Sequence, residues 1–117
     1  MKNLNNTNAT TVTIVNAFSL QMLDSSVVGA KFDELTLAEM QEVVKGGVNS
    51  AVGHPDTANV LTSLLGVEIP ANRINISLKG GDVVYVAQLT GGRLPEGATT
   101  LPEGFKFKFI KVTCLGE

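Results

Sequence analysis

Val48-Asn49-Ser50-Ala51-Val52-Gly53-His54-Pro55-Asp56-Thr57-Ala58 joins a short run of small and apolar residues to a segment of helical period. The first five residues suit a buried strand. Leu61, Leu64 and Leu65 then fall on one face of a helix that Gly66 should stop. Pro55 fits the first helical position, where a missing N–H leaves no intrahelical bond unmade. A strand passing through one glycine into a helix points to an α/β fold. His54, at that junction, is the single histidine of the chain. Backbone N–H groups at a helix start point outward and favour an anion, and histidine as a residue type suits proton transfer near neutrality. His54 therefore reads either as the proton donor of a phosphate site or as a surface or capping histidine.

Working outward, residues 11–18 (Thr-Val-Thr-Ile-Val-Asn-Ala-Phe) are rich in β-branched side chains and predict a first strand, ending at polar Asn16 and Ser19. Residues 27–32 suggest a second, short strand. Thr36-Leu37-Ala38-Glu39 has capping-box spacing, so a helix should run from about residue 37 to 45, with Gly46-Gly47 as its stop. Ile74, Ile76 and Leu78 alternate with Arg73, Asn75 and Ser77, the pattern of a strand with one polar face. Lys79-Gly80-Gly81-Asp82 reads as a turn. Residues 83–89 are almost continuously apolar and predict a central strand. After a loop rich in Gly and Pro, residues 105–114 should close the sheet, with Lys106, Lys108 and Lys111 on a solvent face or edge. The expected architecture is a compact single domain, a mixed β-sheet with helices packed on it. It spans residues 11–117, behind polar residues 1–10 that read as a flexible N-terminal tail.

Composition narrows the function classes. A length of 117 residues with 44% hydrophobic content suits one domain with one core. The net charge of −2 and pI near 5.3 argue against a partner that is a long nucleic acid, because such binding rests on neutralising phosphates. A phosphate ligand would be held by a few placed residues, as a small molecule is. No apolar run approaches the ~20 residues of a membrane span, and residues 1–10 lack a signal peptide's hydrophobic region. Cys114 stands alone, which excludes an internal disulfide and fits a reducing cytoplasm. At the end of an apolar strand it reads as packing rather than as a nucleophile.

A second candidate for chemistry is Gly91-Gly92-Arg93-Leu94-Pro95-Glu96-Gly97. Its glycines let backbone approach a ligand, Arg93 can clamp a phosphate in a fork, and Glu96 lies three residues on. The competing reading is a solvated turn in which Arg93 and Glu96 pair with each other. Arg73 is either a phosphate-binding cation or a surface arginine. The glycines match neither a Walker loop nor a dinucleotide fingerprint, and no carboxylate pair or Cys/His set has metal-ligand spacing. Leu94-Pro95-Glu96-Gly97 recurs as Leu101-Pro102-Glu103-Gly104.

Four motifs occur in order: Asn16-Ala17-Phe18-Ser19, the stretch from Val52 to Ala58 with Leu64-Leu65-Gly66, Asn72-Arg73-Ile74, and Arg93-Leu94-Pro95-Glu96-Gly97. From about residue 12 to 97 the chain resembles the viral ring nucleases, type III anti-CRISPR proteins that degrade cyclic tetra-adenylate. The resemblance implies a cytoplasmic homodimer that binds the cyclic nucleotide across its two-fold interface. It also implies cleavage without metal or cofactor, to linear products with 2′,3′-cyclic phosphate ends, which blocks type III CRISPR signalling. By motif, His54 would be the general acid and Arg93 and Glu96 its active-site companions. Arg73 would be a principal ligand-binding arginine, Asn16 and Ser19 would lie near the ribose, and Gln88 would complete the ligand-binding set. Glu96 would either orient Arg93 or accept the 2′-OH proton. The rival class is a non-catalytic nucleotide- or DNA-binding viral regulator of the same fold. A purely structural domain, in which this polar set is a coincidence, is a further alternative.

Overall fold

The computed structural model describes residues 11–116, so the expected tail at residues 1–10 lies outside the described residues. Five strands and two helices follow one another as β1 (Val12–Val15), β2 (Val27–Leu35), α1 (Leu37–Val43), β3 (Val48–Ala51), α2 (Pro55–Leu65), β4 (Val83–Thr90) and β5 (Lys106–Gly116). The strands form one mixed sheet in the order β2-β5-β4-β1-β3. β1 runs parallel to both β3 and β4, while β5 runs antiparallel to β4 and β2. The carboxyl ends of β1, β3 and β4 therefore share one end of the sheet. In open α/β sheets, that end is where ligands bind.

Local sequence explains both helices. Thr36 Oγ1 accepts the Glu39 N–H at 3.1 Å and Glu39 Oε1 accepts the Thr36 N–H at 2.8 Å, which completes the capping box. The α-helix ends at Val43, earlier than the expected residue 45, because the last turn tightens into a 3-10 turn over Val44–Gly46. α2 opens with Pro55 in its first turn and closes on Gly66, whose φ of 78° is the left-handed cap glycine provides.

Both helices pack on one face of the sheet. Met40 and Val44 from the first helical region and Ala58, Leu61 and Leu65 from α2 meet Ile14, Tyr85, Ala87 and Phe109 from the strands. Leu61 is fully buried. Truncating such a leucine to alanine costs about 2–5 kcal/mol. The opposite face has its own apolar layer of Val15, Ala51, Val84, Val86, Val112 and Cys114, covered by Phe18, Met22, Leu23 and Ile76. β4 thus feeds both layers, Tyr85 and Ala87 on one side and Val84 and Val86 on the other. That double burial is why its sequence is almost continuously apolar and why it is central, as expected. Burial also pushes the Cys114 thiol up from its ordinary pKa, against a thiolate nucleophile there.

The structure departs from the sequence reading at four strands. β1 ends at Val15 rather than residue 18, because Ser19 caps a 3-10 turn over Leu20–Met22 that lifts the chain off the sheet. β2 extends to Leu35 instead of stopping at 32, since β5 offers a partner along its whole length. The expected strand at Ile74, Ile76 and Leu78 does not form. That segment makes only an isolated bridge, between Leu23 and Leu78, outside the five-stranded ladder, although Ile76 and Leu78 are packed into the helix-free layer. Its alternation records one-sided burial, which a strap lying across a sheet produces as well as a strand within one. Finally, β5 does not close the sheet but lies between β2 and β4. Its lysines divide accordingly, with Lys106 and Lys108 on the helix-free face and Lys111 on the other. The turn at residues 79–82 is present, closed by the Asp82 N–H to the Lys79 carbonyl at 3.0 Å.

Candidate functional site

Where β1 and β3 end, the chain leaves the sheet twice, at Asn16 and at Gly53-His54. Between these exits lies a cleft of about 360 Å³, lined among others by Asn16, Gly53, His54, Arg73 and Asn75. His54 is the N-cap residue of α2, with extended backbone (φ −121°, ψ 120°) and a side chain that makes no capping bond. The ring is therefore not committed to the helix end and stays exposed at the cleft.

A polar network behind the cleft fixes its walls. Ser50, 6% exposed, donates to the Pro70 carbonyl at 2.6 Å and accepts the Val52 N–H at 3.2 Å. Asn72 donates from Nδ2 to the Ser50 carbonyl and from its backbone N–H to the Val52 carbonyl, both at 2.8 Å. These bonds hold the segment after α2 along the edge of β3 and deliver Arg73 across Gly53. A Cβ on Gly53 would stand 3.3 Å from Arg73 Cγ, so the missing side chain is what admits the arginine. Asn16 Oδ1 accepts the Gly53 N–H at 3.3 Å and ties the two strand exits together.

The other expected site residues are placed less uniformly. Ser19 is the cap of the 3-10 turn, accepting the Gln21 N–H at 3.2 Å, and it lines a neighbouring cleft that shares Met22, Ile74, Asn75 and Ile76 with the first. Gln88 lies apart from His54. It lines a mostly apolar groove of about 230 Å³ with Phe18, Phe32, Lys108 and Ile110, also on the helix-free side. Arg93 and Glu96 do not line the His54 cleft, and no ion pair among the described residues involves either, so the pairing of the competing solvated-turn reading does not occur. Their loop instead lies along α2. The Gly97 N–H donates to Asp56 Oδ1 at 3.1 Å, and Ser63 Oγ donates to the Thr99 carbonyl at 2.8 Å. Glu96 is thereby brought to the first turn of α2, which begins next to His54.

Asp56 and Ser50 are contributors that sequence reasoning missed, while Asn72, quoted only as part of a motif, proves to bond the segment to β3. Ser50 had a visible signal, a hydroxyl within a small-residue run that must be buried. An acid in the first turn of a helix is so common for dipole reasons that Asp56 carried no separate signal. Among the described residues no three His, Cys, Asp or Glu side chains are grouped as metal ligands would be, and no helix is long and apolar enough to cross a membrane.

The chain is similar to proteins of archaeal-virus origin. The chain is 45% identical over 65 residues to protein 26 of Sulfolobus islandicus filamentous virus, an alignment covering 55% of this chain and 54% of that protein. It is 40% identical over 68 residues to ORF117 of Acidianus two-tailed virus, covering 53% of this chain and 57% of that protein. The chain thus spans about half the length of the curated relatives it matches. Among solved structures, B116 of Sulfolobus turreted icosahedral virus superposes with a TM-score of 0.73 at 25% identity, covering 89% of this chain and 99% of that one. With the family model matching residues 12–109, the chain belongs to the STIV B116-like family.

Proposed function

We propose that this protein is a viral ring nuclease that opens cyclic tetra-adenylate without a metal ion and so silences type III CRISPR signalling in the host cytoplasm. The observation that carries the reading is the shared cleft of His54, Arg73 and Asn16 at the carboxyl ends of β1 and β3. It pairs a group able to give a proton with a cation able to hold a phosphate.

RNA cleavage of this kind needs three things. The 2′-oxygen must be aligned for attack on the adjacent phosphorus. Charge growing on the phosphate oxygens needs a cation, and the departing 5′-oxygen needs a proton. In this reading Arg73 anchors phosphate, Asn16 and Ser19 sit towards ribose, and Gln88 extends the binding surface. Arg93 meets the developing charge, with Glu96 either orienting it or taking the 2′-OH proton. The phosphorus–O5′ bond breaks as His54 protonates that oxygen, leaving a 2′,3′-cyclic phosphate and a 5′-hydroxyl. The reading includes a homodimer whose two-fold axis matches the ligand's symmetry.

Incubation with labelled cyclic tetra-adenylate in excess EDTA is the test. Conversion to linear products with cyclic phosphate ends is the expected result. Activity lost to chelator and restored by magnesium or manganese would overturn the metal-free mechanism. One observation favours a second reading, a non-catalytic nucleotide-binding regulator: Arg93 and Glu96 stand outside the His54 cleft. Catalytic contacts are often long in ligand-free proteins and tighten on binding, which is why the enzyme reading is preferred. A ring that is bound but left intact would establish the regulator.

A further inference from the structure

The two copies of Leu-Pro-Glu-Gly fold into the same turn. The Ala98 N–H reaches the Pro95 carbonyl at 3.1 Å, and the Phe105 N–H reaches the Pro102 carbonyl at 3.1 Å. Gly97 and Gly104 take up φ of 80° and 86°. In such a turn the third residue's own N–H is not used by the turn bond. At the first copy that free N–H, of Gly97, is taken by Asp56 Oδ1 at 3.1 Å. Asp56 is half-buried in the first turn of α2, two residues beyond His54, so its carboxylate joins the peptide that follows Glu96 to the helix that carries His54.

The loop is otherwise well held. Its base is closed where Gly91 meets residues 104 and 105, since a Cβ there would lie 2.7 Å from the Gly104 carbonyl oxygen and 2.9 Å from Phe105 Cα. Leu94 is 6% exposed and plugs the loop's start, and Ser63 secures Thr99 further along α2. Losing the Asp56 bond would therefore free the Glu96 turn while leaving the base and Leu94 in place.

We infer that Asp56 is a positioning residue, whose carboxylate clamps the Glu96–Gly97 peptide to the start of α2 and so holds the Glu96 turn next to the helix end that carries His54. This rests on the ring-opening reading. Misplacement by about 1 Å at such a site can cost roughly a hundredfold in rate without touching the reacting groups.

The experiment compares wild type, Asp56→Ala and Asp56→Asn, the last keeping an oxygen acceptor for Gly97. Amide hydrogen exchange at Gly97, read by NMR without ligand, reports the clamp independently of catalysis. Single-turnover cleavage and the dissociation constant for cyclic tetra-adenylate report its consequence. Expected for Asp56→Ala are faster Gly97 exchange, a single-turnover rate at least about tenfold lower, and a dissociation constant within about threefold of wild type. Asp56→Asn should stay within about threefold of wild type in all three measurements, because the acceptor survives. An unchanged rate in Asp56→Ala overturns the proposal. So does an Asn variant as slow as the Ala variant, since the carboxylate would then act by charge. Wild-type protein that leaves the ring intact removes the functional reading, and this role with it, whereas an active wild type with an indifferent Ala variant removes the role alone.

Discussion

Leu94-Pro95-Glu96-Gly97 and Leu101-Pro102-Glu103-Gly104 share four residues, a hydrogen-bonded turn and a positive φ at glycine, yet their surroundings have little in common. Leu94 is sunk into the molecule and Gly97 is claimed by α2. Leu101 is only half-buried, and Gly104 faces Gly91 at the foot of the loop. Glycine fixes the backbone of both turns, because at the third position it accepts the left-handed φ without strain. The two turns differ in their neighbours, Asp56 at Gly97 in the first and Gly91 at Gly104 in the second. Under the proposed ring-opening reading, the same four residues serve the site at one copy and only bend the chain at the other.

The sharpest way to break that contrast starts at the helix to which only the first turn is tied. His54→Ala should lower single-turnover cleavage by about 10²–10⁴-fold, the usual worth of a placed proton donor, with affinity within about tenfold by calorimetry. Full activity in that variant would leave the first turn with no catalytic neighbour. Arg73→Ala, on the other wall of the cleft, should chiefly weaken binding, by about 1.5–3 kcal/mol for a charge-assisted phosphate contact. An unchanged titration would make Arg73 a surface cation. Between the two turns themselves, Glu96→Gln should slow single turnover at least about tenfold, and Glu103→Gln less than about twofold. A larger effect at Glu103 would mean that the wrong copy has been assigned. The smallest effects belong to the glycines. Gly97→Ala and Gly104→Ala each meet open space but a positive φ, so both should lower stability by a similar ~1–2 kcal/mol in chemical denaturation. Only Gly97→Ala should also slow cleavage.

How much of this was visible in the sequence follows from the range of the forces involved. The helix at His54-Pro55, the capping box at Thr36 and the central place of residues 83–89 are written in spacings of four residues or in unbroken apolarity, and they appear as read. The segment with Ile74 and Ile76 misled because alternation reports which side is buried, not whether a neighbouring strand supplies hydrogen bonds. The lysines of β5 fit a solvent face as well as an edge, and nothing local reveals that β2 covers the side on which the strand was expected to close the sheet. The candidate site divides in the same way. His54 is legible from its place between a strand and a helix, Asn16 enters only through the family resemblance, and Arg73 lines the cleft despite the missing strand. The relation of Glu96 to α2 depends on a hydrogen bond between residues 41 apart in sequence, which no local pattern records.

Among the described residues β2 bonds to β5 alone, along nearly its full length. On the ribosome, β2 emerges early and its one partner is made last. At roughly 5–20 residues per second, several seconds pass before the ladder can begin to form. During that interval a nine-residue strand carrying Val28, Phe32 and Leu35 has no backbone partner within the nascent chain. Such an edge is a template for pairing with other chains, and the long separation of its contacts slows its own closure. Yield in a cell should accordingly depend on synthesis rate and chaperone supply more than the stability of the finished sheet would suggest.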